Sequence, residues 1–84
     1  MAPLRILWDL EDDPDGNVQH LADHGVSREE FEEIIFHPHA FDRSRSTGRH
    51  IAIGETSTGR TLIVVFDELD DSTIYPITAY ELEE

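Results

Sequence analysis

Between His50 and Phe66 the chain carries two apolar, β-branched runs, Ile51 to Ile53 and Leu62 to Phe66, separated by a Ser/Thr-rich break that includes Gly54 and Gly59. This pattern predicts a β-hairpin with a mid-length loop, and the rest of so short a chain must pack against it. Leu62 to Phe66 does not alternate apolar with polar residues. It therefore reads as a central strand covered on both faces.

Upstream of the hairpin, the sequence specifies two helices. Leu4 to Trp8 reads as a first strand, followed by a polar turn. Glu11-Asp-Asp-Pro-Asp-Gly-Asn17 resembles a calcium loop, but setting Gly16 at the sixth loop position puts Ala22 where a bidentate acid is needed. Asn17 to His24 has Val18, Leu21 and Ala22 on one face, and Gly25 is placed to end that helix in the left-handed conformation. Ser27 and Glu30 have capping-box spacing for a second helix, with Val26 and Phe31 as its hydrophobic staple. Phe31, Ile34 and Ile35 form its buried stripe, and Pro38 stops it.

Downstream, Ala40 to Arg45 reads as a strand and Ser46-Thr-Gly48 as a turn. After the hairpin come a loop, Asp67 to Ser72, and a last strand, Thr73 to Ala79. Pro76 lacks an amide donor, so that strand is expected at an edge or bulged there. Tyr80 to Glu84 has the composition to begin a helix. The expected fold is one α+β domain over residues 1–84, two short N-terminal helices on an antiparallel sheet of three to five strands.

Length and charge limit what such a domain can do. A chain of 84 residues buries only roughly 60–65% of its unfolded surface, so a partner or a second copy is expected to complete it. Nineteen acids face six basic residues, all arginine, for a net charge of -13. A surface of that sign repels polyphosphate. Yet Arg43, Arg45, Arg49 and Arg60 fall within 18 positions of one another, which leaves two readings open: a local basic face on an acidic body, or a uniformly solvated surface. The absence of cysteine excludes disulfides, thiolate zinc sites and cysteine nucleophiles. No apolar stretch is long enough for a signal peptide or membrane span, so the expected location is cytoplasmic, without a membrane partner.

In succession, Leu7-Trp8-Asp9, Asn17, His24-Gly25-Val26-Ser27, Glu30, His37-Pro38, Gly48-Arg49, Ile51-Ala-Ile-Gly54, Thr58-Gly59-Arg60, Leu62 to Phe66 and Ile77-Thr78-Ala79 resemble the BrnT family. These are ribonuclease toxins of type II toxin–antitoxin systems with a RelE-like fold. The resemblance implies a cognate antitoxin, RNA as substrate and no cofactor or metal. The chain departs from the family where Tyr75 and Tyr80 stand at positions usually held by Arg, and where Gly16 and Asp23 replace basic flanks. It also reads Glu81-Leu-Glu-Glu84 where the family continues into a basic helix.

Metal-free RNA cleavage needs a base for the 2′-hydroxyl, an acid for the leaving oxygen and cations for the phosphorane. His24, Arg49, Arg60, Tyr75 and Tyr80 are the candidates, with His50 as an alternative imidazole. His24 equally suits the C-terminus of a helix dipole, the arginines equally suit pairing with nearby acids, and the tyrosines equally suit strand packing. His20 with His24, and His37 with His39, have ligand-like spacing but lack a third donor. Two functions therefore stand side by side: an RNA-cleaving toxin, or an inactive relative that binds an antitoxin or a second copy of itself.

Overall fold

The computed structural model describes residues 5–45 and 47–82. Its elements are β1 (Arg5–Ile6), α1 (Asn17–Asp23), α2 (Arg28–Phe36), β2 (Ala40–Arg43), β3 (His50–Glu55), β4 (Thr61–Asp70) and β5 (Thr73–Glu81). They form a five-stranded sheet in the order β1-β5-β4-β3-β2, with the two helices packed on it. β2 to β5 are joined as antiparallel neighbours, while β1 adds a short parallel edge against Thr73 and Ile74. The sheet is thus mixed, and β4 is central as its composition predicts.

Both helices are terminated by the signals in the sequence. Gly25 has φ 76, and the turn closes with Gly25 N–H on the Ala22 carbonyl and Val26 N–H on the Leu21 carbonyl, each at 2.9 Å. This paired bonding satisfies two carbonyls that α1 would otherwise leave exposed. Ser27 caps α2 reciprocally with Glu30, and Val26 and Phe31 are both buried in the core as the staple requires. α2 ends at Phe36, two residues before Pro38.

The core lies between the helices and one face of the sheet. Leu21, Val26, Phe31, Ile34 and Ile35 pack on Ala52, Leu62, Val64, Phe66, Ile74 and Ala79. Trp8 meets Phe31 edge to face at 5.4 Å and donates its indole N–H to Glu32 at 3.2 Å. Gly54 allows close approach of β3 to α2, because a Cβ there would lie 3.3 Å from Ile34 Cδ1 and 3.4 Å from the His37 carbonyl.

The structure corrects several sequence expectations. Helices cover only one face of β4; on the other, Ile63 and Val65 are shielded by strand neighbours Ile51, Ile53 and Thr78. Val65 is nevertheless only 9% exposed. Asp67 to Asp70 continue β4 instead of forming a loop, because the backbone pairs with β5. The turn shrinks to Asp71 and Ser72, and Asp70 accepts from Ser72 N–H at 2.9 Å. Tyr80 and Glu81 extend β5, because Leu62 and Ile63 offer them strand partners that outweigh helix propensity. Near Pro76 the register skips Ile77, which is the expected bulge. β2 stops at Arg43, and Ser46 of the expected turn lies outside the described residues.

Candidate functional site

Four of the five candidate residues, His24, Arg60, Arg49 and Tyr75, separate into two groups at opposite ends of the sheet. At one end the β3–β4 loop, Thr56 to Arg60, is closed by Thr56 N–H on the Arg60 carbonyl at 2.8 Å and by Gly59 with φ 89. Arg60 emerges from it under the helices. Its Nη1 donates to Glu30 at 2.6 Å, and its Nη2 and Nε reach Glu81 at 3.2 and 3.3 Å. The turn carrying His24 is adjacent, since a Cβ on Gly25 would lie 4.0 Å from the Arg60 guanidinium. His24 itself is exposed, with its ring 5.0 Å from that of His20.

Electrostatics at this end are those of a closed cross-link. Burial pushes the Glu30 carboxyl upward, but hydrogen bonds from Ser27 and the Arg60 guanidinium outweigh it and hold Glu30 below its ordinary range. Glu30 in turn holds the Arg60 proton more firmly, against partial desolvation, with help from Glu81. Each of the three guanidinium nitrogens donates to a carboxylate.

At the other end Arg49 precedes β3, and its Nε donates to Asp67 at 3.1 Å. Asp67 pairs across the strands with Tyr75. The Tyr75 hydroxyl donates to Asp9 at 2.6 Å, and Asp9 also accepts from Asn17 N–H at 2.9 Å. These two bonds, the Tyr75 one first, hold the Asp9 carboxyl below the usual range despite some desolvation. The phenol is pushed above its ordinary value, first by that same bond and then by burial and by the charges of Asp9 and Asp13. Such a hydroxyl is a weaker acid than a free tyrosine.

Asn17 is the hub of this second group. It is only 4% exposed, its Oδ1 accepts from Asp9 N–H at 2.9 Å, and its Nδ2 donates to the carbonyls of Leu7 and Pro76. The side chain therefore ties the segment after β1 to α1 and β5. Spacing could not identify it, because its partners lie up to 59 positions away. His20 was legible only as half of a ligand pair, yet its Nε2 lies 3.2 Å from Thr78 Oγ1 on β5.

Tyr80 joins neither group. It is 43% exposed and opposite Ile63, on the face without helices. His50 stacks on Phe66 at 5.5 Å and 15°, and reaches Glu68 at 3.4 Å. The six residues of β3 separate Arg49 from the Arg60 end by roughly 20 Å, at about 3.3 Å per residue. Among the described residues, no three His, Asp or Glu side chains are grouped to hold a metal ion, and no helix is long and apolar enough to cross a membrane.

A family model described as "Ribonuclease toxin, BrnT, of type II toxin-antitoxin system" matches residues 13–84, a span that takes in both helices and β2 to β5. Comparisons with curated proteins and with solved structures return no match. The match covers most of the chain and agrees with the succession of motifs, the two helices and the sheet. The chain belongs to the BrnT family of type II toxin–antitoxin systems.

Proposed function

We propose that this chain is the toxin-side member of its toxin–antitoxin pair and works chiefly by binding the cognate antitoxin, with RNA cleavage reduced or lost. The observation that carries this reading is the state of the arginines. In-line attack on an RNA phosphate needs base, acid and cation around one phosphorus. Here Arg60 bonds two carboxylates, Arg49 bonds one, and the two stand at opposite ends of β3. The Tyr75 proton is committed to Asp9. A net charge of -13 also repels RNA, and equally opposes self-association, which favours a basic protein partner over a second copy.

RNA cleavage without metal is the second reading, favoured by the family description and by the neighbouring His20 and His24 imidazoles, of which His20 reaches Thr78. One imidazole as base and the other as acid would be its minimal machinery. Expression of the chain without its antitoxin separates the readings. Unchanged growth, with soluble folded protein and capture of the antitoxin from the adjoining reading frame, is the expected result. Growth arrest that is relieved by His20→Ala or Arg49→Ala would establish the nuclease instead.

A further inference from the structure

Ile35, the last buried residue of α2, faces the His50 and Phe66 end of the sheet. A groove of about 330 Å³ opens there. Its floor is apolar, made of Ile35, Phe66 and Ile74, and Phe41 on β2 forms a wall that is 64% exposed. His50 lies stacked on Phe66 and adds a second aromatic surface. Glu68 and Asp71 stand at the rim; among the described residues the Glu68 carboxylate meets one basic side chain, the His50 imidazole at 3.4 Å, whereas Asp70 is committed to the turn through Ser72.

We infer that this groove takes an arginine side chain presented by the antitoxin, a deepening that rests on the antitoxin-binding reading above. The chemistry selects that occupant. An apolar floor with carboxylates at its rim suits a side chain with an aliphatic stem and a cationic head. A planar guanidinium can lie on the Phe41 and His50 rings while donating to Glu68 and Asp71, which an ammonium does less well. RNA meets like charge at this rim, and a second copy brings another -13. A basic partner meets opposite charge and covers the exposed Phe41.

The test uses the full chain and two probes, acetyl-Leu-Arg-Leu-amide and the same peptide with citrulline, an uncharged isostere, in place of arginine. Amide resonances of Phe41, His50, Glu68 and Ile74 should shift with the arginine peptide. Binding should weaken about fivefold both with citrulline and in the Glu68→Gln/Asp71→Asn double variant, the size expected for a partly exposed ion pair. Both substitutions are on exposed side chains, and an unchanged melting midpoint checks the fold. Equal binding of the two peptides, or shifts confined to other surfaces, would overturn the assignment.

Antitoxin capture with a Phe41→Ala/Glu68→Gln/Asp71→Asn variant keeps the two claims apart. If the wild-type chain captures the antitoxin and this variant captures it equally well, the groove assignment fails while the binding function stands. If the wild-type chain captures none, the functional reading fails, and the peptide titration alone decides the groove.

Discussion

Arg60 and Arg49 flank the two strands of the β3–β4 hairpin, and the fold uses them differently. Arg60 connects α2, β4 and β5 through Glu30 and Glu81, and the closer pair is mostly shielded, at 29% and 20% exposure. Arg49 and Asp67 are 42% and 41% exposed, and they link two strands already joined by a hydrogen-bond ladder. The first pair holds elements that no ladder connects; the second repeats a connection already made. A cation's worth to stability therefore follows from what it joins and how dry the junction is.

The largest effect should come from Arg60→Ala. It leaves Glu30 half-buried without its cation, and a loss of about 2 kcal/mol in urea unfolding is expected, between the values for exposed and buried pairs. A loss below about 0.5 kcal/mol would erase the contrast. Ser27→Ala comes next, at about 1 kcal/mol, because it removes the cap of α2 and half of the reciprocal bonding that orients Glu30 toward Arg60.

Acid sensitivity sharpens the comparison further. Glu30 and Asp9 are both held below their ordinary range in the fold. Their contribution is therefore present above the unfolded carboxylate value of about 4 and is lost as pH falls through the lowered folded values. Urea midpoints measured downward from neutral pH should fall below about pH 4 for the wild-type chain, and less steeply for Arg60→Ala and Tyr75→Phe. Parallel curves would show that neither contact distinguishes the charged carboxylate. The smallest effect is Arg49→Ala, expected within about 0.5 kcal/mol and further reduced in high salt.

How much of this was legible in the sequence depends on the range of each signal. The Ser27–Glu30 box, the Gly25 terminator, the central position of Leu62 to Phe66 and the irregularity at Pro76 are encoded by neighbouring residues, and each forms as its spacing predicts. Asp67 to Asp70 read as a loop because acids are poor strand formers, yet cross-strand pairing with β5 decides their conformation. The candidate site was the least legible part. Asp9, Asn17 and Tyr75 converge from positions up to 66 apart, and the acids that neutralise Arg60 lie 30 and 21 positions from it. Charge counts showed that acids were abundant without showing which would face each arginine.

The central claim is that these arginines serve as internal cross-links and are not offered to a polyanion. Its most direct test is titration of a fluorescent single-stranded RNA oligonucleotide with the purified chain at low salt, where any phosphate-binding surface is strongest. No saturable binding is expected, for the wild-type chain or for Arg49→Gln and Arg60→Gln. Saturable binding that weakens steeply with added salt, and is lost in either arginine variant, would contradict it.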